Sequence, residues 1–234
     1  MTRVSADDGA HRTAASRIAA ELRAEILQGM LAPGARLKVS ALQSRFDTAI
    51  NPIREGLNRL VSEGLVELVD HKGFSVADIS LDAWRDILEA RCMIEAAAFE
   101  RSIRNPDDAW RDEIAISLHR LLRTPRFTDE RARLPNPDWE KIHHRFHRAL
   151  IARCGSHEVI AICDSLRRKA DRYRALAGKS QKARTNYNDE HEMMANHALD
   201  GDAARAVRIL VDHYRATLSV VERYFADGRD GRDG

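Results

Sequence analysis

The sequence predicts a mainly α protein in which a small N-terminal α+β unit precedes an all-α helical bundle. Aromatic residues make up only 6% of the 234 residues, whereas Ala, Leu, Arg and Glu, which favour helices, recur throughout. Apolar residues repeat at helical spacing along most of the chain. Strand-like runs bounded by turn residues occur only between residues 65 and 79.

The chain is predicted to contain two folded segments between two tails. Residues 1–13 are polar, and residues 227–234 form a charged, Gly-rich repeat, so we expect both tails to be disordered. A folded unit is predicted over residues 14–78, and an all-helical domain over residues 79–226.

Composition excludes several classes of protein. No stretch approaches the roughly 18 apolar residues of a membrane span, and the N-terminus lacks the apolar region of a secretory signal. Cys92, Cys154 and Cys163 are odd in number and form no CxxC pair, which predicts reduced thiols that serve in packing. We therefore expect a cytoplasmic protein that contacts no membrane.

The N-terminal unit combines three helices with a hairpin. Helices are predicted over residues 14–28, over 39–46, and from a first turn containing Pro52 to near Gly64. Two short strands follow, in LVELV and FSVADI, joined by a turn at VDHKGF. Three helices closed by a short hairpin form a winged helix-turn-helix, whose third helix can enter the major groove of DNA.

Polar and basic residues cluster on the predicted recognition elements. Asn51, Arg54 and Asn58 lie near the start and on the outer face of the third helix, and the hairpin turn carries a second group. The DNA contacts predicted from this clustering are Asn51, Arg54, Asn58, His71, Lys72 and Gly73, flanked by Arg36, Lys38 and Arg45. The alternative is that these are solvated charges on a small domain. The net charge of +2 does not decide between the two readings.

This unit resembles the DNA-binding domain of GntR-family transcription regulators. The matching residues are Pro33, Gly34, Leu37, Leu42, Phe46, Pro52, Arg54, Glu55, Leu57, Leu60, Glu63, Gly64, Leu65, Gly73 and Val76. Three positions depart from the family pattern: Asp47 stands for the usual Gly, Ala49 for Ser or Thr, and Ile50 for an Arg found in many members. The resemblance implies a domain that binds double-stranded DNA, with Arg54 as its principal contact and with Ala49 and Ile50 among the predicted contacts.

The second segment shows helical patterns only. Breaks at residues 105–106, 124–137, near 155, around 178 and at 200–201 divide it into six predicted helices, four of them long enough for a bundle. No strand is predicted between Leu81 and Phe225.

Three of these helices turn histidine toward an apolar face. His143 and His147 are four residues apart and share a face, whereas His144 is rotated away by about 100°. His191 and His213 lie on the apolar faces of two later helices. Two readings are open: each is a satisfied core residue, or all four form one metal site, because a metal satisfies several imidazoles together.

The helical segment resembles the ligand-binding domain of the FadR branch of the same family. The residues that carry the resemblance are Glu89, Arg91, Ile94, Glu95, Phe146, His147, Leu150, Glu190, His191 and His213. Metal-binding members use one Asp and three His, and His143 stands at the Asp position. The resemblance thus implies either four histidine ligands or three with a non-ligating fourth. An all-imidazole set favours Zn or Ni.

The resemblance also implies a small carboxylate effector. Arg91 is the first candidate for holding it, because a guanidinium binds a carboxylate through two hydrogen bonds. Glu95, Arg172 and Arg174 complete the predicted effector site. The CGS after the histidine helix and the RYR segment are similar to a branch that senses short dicarboxylates such as glutarate.

The predicted function is a homodimeric, effector-controlled transcription regulator, more often a repressor in this family, that binds a palindromic operator. It is not expected to be an enzyme. Two alternatives stay open at this point: a metalloenzyme in which Glu95 or Glu190 serves as general acid or base, and a regulator for which the metal itself is the signal.

Overall fold

The fold is that of a computed structural model, which describes residues 13–129, 131, 134–177 and 187–229. The chain divides into two compact units between Asp78 and Ile79. Within the described residues, no helix has both the length and the apolar character needed to cross a bilayer. The predicted tails at 1–12 and 230–234 and the predicted break around residue 178 lie outside these residues.

The first unit contains the three predicted helices and a small antiparallel sheet. Its elements are α1 (Ala14–Leu27), β1 (Arg36–Leu37), α2 (Val39–Phe46), α3 (Ile50–Ser62), β2 (Val66–Val69) and β3 (Gly73–Val76). The strand order is β1-β3-β2, so β1 adds a strand to the predicted hairpin. Two residues are too few to show an alternating pattern, which is why the sequence did not predict β1.

Apolar packing between α1 and α3 holds the helix-turn-helix in place. Ile18 and Leu22 of α1 and Ile53, Leu57 and Leu60 of α3 are fully buried. At the start of α1, the Thr13 side chain accepts a hydrogen bond from the Ser16 N–H at 3.2 Å. Thr13 is therefore the N-cap of a helix, and the prediction that a disordered tail reaches residue 13 was wrong at this residue.

The turn between α2 and α3 needs a left-handed residue. Asp47 ends α2 with a φ of 46°, a conformation that costs an L-residue with a Cβ about 1–2 kcal/mol. Glycine has no such cost, which explains why glycine is usual here in the family that the sequence resembles. Aspartate is tolerated better than most residues because its short side chain bonds locally.

This strain gives a stability prediction. We expect Asp47→Gly to be more stable than Asp47→Ala by about 1 kcal/mol, because only glycine adopts the left-handed conformation without a Cβ clash. Amide hydrogen exchange of α2 and α3 in the full chain measures this difference, since it reports local stability. Equal protection in the two variants would show that Asp47 carries no backbone strain.

The second unit contains the six predicted helices. They are α4 (Leu81–Arg104), α5 (Asp108–Arg123), α6 (Pro137–Ile151), α7 (His157–Ala177), α8 (Tyr187–Leu199) and α9 (Ala203–Arg229). Helix α4 packs against α7 and α9, α5 packs against α6 and α8, and α8 packs against α9. The core between them includes Trp84, Phe99, Phe146 and the buried thiols of Cys154 and Cys163.

Two predictions for this unit were wrong. A two-stranded antiparallel sheet, β4 (Phe127–Asp129) with β5 (Leu134–Pro135), lies in the segment for which no strand was predicted. These strands are too short for an alternating pattern. Helix α9 continues to Arg229, beyond the predicted start of the tail at residue 227, because the helical hydrogen bonds persist through the first Asp-Gly of the repeat.

Candidate functional site

The outer face of α3 presents a compact polar surface. Asn51, Arg54 and Asn58 are exposed and are separated by three and four residues, which places them on one side of the helix. Ile50 is 42% exposed at the start of the same helix, and Ala49 before it is also exposed. Such a surface can offer amide and guanidinium groups to base edges and an apolar group to a thymine methyl.

The arginines near this surface differ in their partners. Arg45 binds Glu21 and Glu25 of α1, and its hydrogen bond to Glu25 raises its pKa. Arg59 binds Glu55 and donates to the Ser16 hydroxyl at 2.7 Å. Arg54 makes no hydrogen bond or ion pair with any described residue. Arg54 is thus better placed for a DNA contact than Arg45, whose charge is already compensated.

The hairpin turn forms an exposed basic tip. His71 and Gly73 both have positive φ values, of 60° and 78°, and Lys72 lies exposed between them. Arg36 Nη2 donates to the Lys72 carbonyl at 3.1 Å and so fixes the turn to β1. Lys38 and Lys72 line a cleft beside this contact, which suits the phosphates of a DNA backbone.

In the second unit, the four predicted histidines meet. His143 and His147 come from α6, His191 from α8 and His213 from α9, and each is at most 4% exposed. One ring nitrogen from each lies within 4.8 Å of those of the other three. His147 Nε2 is 3.1 Å from His143 Nε2 and 3.3 Å from His191 Nε2. The reading of four separate core histidines therefore does not describe this arrangement.

Acidic and phenolic groups orient two of these imidazoles. His213 Nδ1 donates to Glu190 Oε2 at 2.8 Å. His147 Nδ1 lies 3.5 Å from Tyr214 Oη, which itself donates to Glu95 Oε2 at 2.5 Å. A neutral imidazole that donates through Nδ1 keeps its lone pair on Nε2, as in the carboxylate–histidine pairs that support metal ligands.

Burial keeps two of the four imidazoles neutral. It lowers the pKa of His143 and His147 well below the usual value, and the neighbouring imidazoles and arginines lower the pKa further. Neutral imidazole is the form that binds metal. Zn–N bonds of 2.0–2.1 Å in a tetrahedral site would put the nitrogens about 3.3 Å apart. The 3.3 Å between His147 Nε2 and His191 Nε2 matches that spacing, so the donor set suits a divalent ion.

His143 has surroundings of its own. Its Nδ1 accepts a hydrogen bond from Arg174 Nη1 at 3.0 Å, and its ring stacks on Trp139 with centroids 4.6 Å apart. Arg174 is held in turn by Glu140 of α6 and by Asp171. His144 faces away from the cluster, as predicted from its helical angle, and contacts Asp171 at 3.0 Å.

A small cavity adjoins the cluster. Its volume is about 30 Å³, enough for about two water molecules. The lining residues are Arg91, Arg126, Trp139, His143, His147, Arg167, Arg174, His213, Tyr214, Thr217 and Val220. Four of these residues are arginines, whose guanidinium groups can bind an anion.

The predicted effector residues lie in different places. Arg91 and Arg174 line the cavity, but Arg172 does not, because two residues along a helix correspond to a rotation of about 200°. Arg167 lies seven residues before Arg174, on the same face of α7, and that spacing was a signal which the sequence reading missed. Arg126 was also missed, since it precedes a strand that was not predicted.

Glu95 forms a buried ion pair with Arg91. Arg91 donates to it through Nε at 2.6 Å and Nη2 at 3.3 Å, and both side chains are about 5% exposed. The Arg91 guanidinium also lies 4.1 Å from the Tyr214 ring centre. Glu95 thus supports Arg91 and Tyr214 and is not among the residues that line the cavity.

A winged helix-turn-helix with an exposed recognition helix, joined to a helical unit with a buried polar cavity, defines a DNA-binding regulator that carries a sensor domain. Residues 14–76 match the bacterial regulatory proteins of the gntR family, and residues 86–216 match the FCD domain. The FCD match covers more than half of the chain, and the protein belongs to the GntR family of transcription regulators.

Relatives over nearly the whole chain agree with this assignment. The chain is 34% identical to the uncharacterized HTH-type transcriptional regulator BphR of Paraburkholderia xenovorans over 87% of its length and 83% of that protein. It is 30% identical to the HTH-type transcriptional repressor GlaR of Escherichia coli over 88% and 94%. The structure of E. coli McbR/YncC has the same fold, with a TM-score of 0.70 at 17% identity and coverage of 91% and 99%.

These findings decide between the alternatives for the chain as a whole. The family and the relatives are transcription regulators, so the protein is a DNA-binding regulator and not a metalloenzyme. The general roles of its two units follow: the winged helix binds DNA, and the FCD domain binds a small-molecule effector.

Proposed function

We propose that the protein is a repressor that binds a palindromic operator as a homodimer and is controlled by a small organic acid bound beside a metal ion. The observation that carries this proposal is the buried four-histidine cluster next to an arginine-lined cavity. Two winged helices suit two operator half-sites. Because the target is chromosomal DNA, we place the protein in the cytoplasm.

The metal would be held by histidines from three helices. His147, His191 and His213 supply buried imidazoles, and an all-nitrogen set suits Zn or Ni better than Mg or Ca. A bound divalent ion would supply positive charge and an attachment point for a carboxylate oxygen. The protein's own contribution is to fix the ring orientations, through Glu190 for His213 and Tyr214 for His147.

The effector would be a carboxylate, and we favour a short dicarboxylate. Arg126, Arg167 and Arg174 line the cavity, and guanidinium groups bind carboxylates through paired hydrogen bonds. A five-carbon dicarboxylate is much larger than two water molecules, so we expect the helices around the cavity to rearrange when it binds. Effector binding would therefore favour a different helix arrangement, which is the requirement for control of DNA binding by linkage.

The small cavity also favours a second candidate, a regulator for which the metal is the signal. In that case the cavity needs no room beyond an ion and its water. DNA binding would then change on metal loading alone, with no response to carboxylates.

Fluorescence anisotropy on an operator selected from random DNA tests both candidates. For the effector-controlled repressor, we expect zinc-loaded protein to bind the operator and a dicarboxylate such as glutarate to weaken binding at least about 10-fold, within the usual range of coupling energies. Metal-free protein should bind DNA but lose the response to the acid. Release of the operator by metal removal alone would instead support the metal sensor, and no response to carboxylates or metal would contradict both.

A further inference from the structure

The partner of His143 Nδ1 determines where this imidazole carries its proton. Arg174 Nη1 lies 3.0 Å from that nitrogen. A guanidinium has only N–H donors and is not deprotonated in proteins, so Nδ1 must be the acceptor. In a doubly protonated imidazole, the Nδ1–H would point at the N–H groups of the guanidinium. The contact between His143 Nδ1 and Arg174 Nη1 therefore excludes that form.

It follows that the proton is on the other nitrogen. A neutral imidazole that accepts at Nδ1 carries its hydrogen on Nε2. His143 Nε2 faces the centre of the cluster, 3.1 Å from His147 Nε2, and so donates a hydrogen bond to it. A nitrogen that carries hydrogen has no lone pair for a metal. His143 thus presents a donor where His147 and His213 present lone pairs.

Neighbouring residues fix this arrangement from two sides. Arg174 is held by Glu140 on α6 and by Asp171 one helical turn away on α7. Asp171 is anchored by Arg167 at 3.4 Å and His144 at 3.0 Å. The indole of Trp139 stacks on the His143 ring with an angle of 14° between the planes, which holds the ring against rotation.

We propose that His143 is not a metal ligand but an N–H donor that recognises an oxygen of the effector beside a metal held by His147, His191 and His213. This rests on the proposed metal site. When the His147 lone pair is engaged by an ion, the His143 N–H needs a new acceptor, and a buried donor without one costs about 1–3 kcal/mol. A carboxylate oxygen in the adjoining cavity supplies that acceptor.

The His143 N–H would also determine which ligands the cavity prefers. The donor of His143 and the guanidinium of Arg174 behind it form a short relay of hydrogen bonds that ends at the cavity. It selects ligands with an accepting oxygen and disfavours amines, which bring only donors to the same place.

Matched glutamine variants on α6 test which histidines bind the metal. Zinc affinity of the full chain is measured by chelator competition for wild type, His143→Gln and His147→Gln, two residues one turn apart on the same helix. We expect His143→Gln to keep one zinc per chain with at most about a 10-fold loss, and His147→Gln to lose more than about 100-fold, since the loss of a supporting partner costs less than the loss of a ligand. Equal large losses would overturn the proposal while leaving the metal site in place.

Absence of zinc binding by the wild type would overturn both this inference and the proposed metal site. X-ray absorption on zinc-loaded wild type needs no variant and therefore does not depend on the folding of His143→Gln. Three imidazole ligands support the proposal, and four contradict it.

Carboxylate affinity tests the role of His143 as a hydrogen-bond donor. Glutarate and acetate are titrated into zinc-loaded wild type, His143→Gln and His143→Ala by calorimetry. We expect His143→Ala to weaken binding about 10-fold, consistent with the loss of one hydrogen bond to a charged group, and His143→Gln, whose amide retains an N–H, to weaken it less. Unchanged affinity in His143→Ala, or no carboxylate binding by wild type, would overturn the donor role even if three histidines hold the metal.

Discussion

Replacement of Arg54 by alanine is expected to abolish specific operator binding without unfolding the protein. Arg54 is exposed on α3 beside Asn51 and Asn58 and has no partner among the described residues. An arginine–guanine contact contributes about 1–3 kcal/mol, and a dimer would lose it in both half-sites. Operator affinity should therefore fall at least about 30-fold, measured by anisotropy or gel mobility shift.

Arg59→Ala is the matched control on the same helix. Arg59 is also an exposed arginine of α3, but it binds Glu55 and Ser16 and faces another direction. This variant removes the same charge and should weaken operator binding only a few-fold, through the general electrostatic attraction to DNA. If Arg54→Ala and Arg59→Ala bind alike, Arg54 has no role in base recognition.

Glu95→Gln is expected to destabilise the helical unit by about 3–5 kcal/mol. The substitution preserves shape but leaves the buried Arg91 charge without its carboxylate, and breaking one side of a buried ion pair has this cost. It also weakens the acceptor of the Tyr214 hydroxyl. Trp84, Trp110 and Trp139 all lie in the helical unit, so urea denaturation followed by tryptophan fluorescence reports the stability of that unit alone.

Two further variants separate the ion pair from other effects. Glu100→Gln lies on the same helix and breaks the exposed pair with Arg104, so it should cost less than about 1 kcal/mol. The double variant Arg91→Met with Glu95→Leu removes both charges and should recover most of the loss. A cost for Glu95→Gln no greater than that for Glu100→Gln would show that Arg91 is solvated without Glu95.

Sequence periodicity predicted much of this structure for a physical reason. Helical geometry and burial explain the positions of His143, His147, His191 and His213. The apolar faces of helices pack together in the core, so histidines on those faces are buried near one another. The confirmed winged helix-turn-helix follows from local turn chemistry at Pro33-Gly34 and Gly73 together with family motifs.

Other features depend on long-range contacts that no local pattern encodes. The strands β1, β4 and β5 are two or three residues long and exist only through their partners. Arg126 reaches the cavity from the segment that contains them. The ion pair between Arg91 and Glu95 was visible as an i, i+4 spacing, but whether it lies in solvent or in the core depends on helices far away in the chain.

The depth of the histidine cluster also has a kinetic consequence. Each imidazole is at most 4% exposed, so an ion held there can enter or leave only when the surrounding helices open locally. Its exchange rate would then be set by how often the helices open rather than by affinity. Protein purified without chelator should retain the ion acquired in the cell, and elemental analysis of such protein identifies the native metal before any reloading.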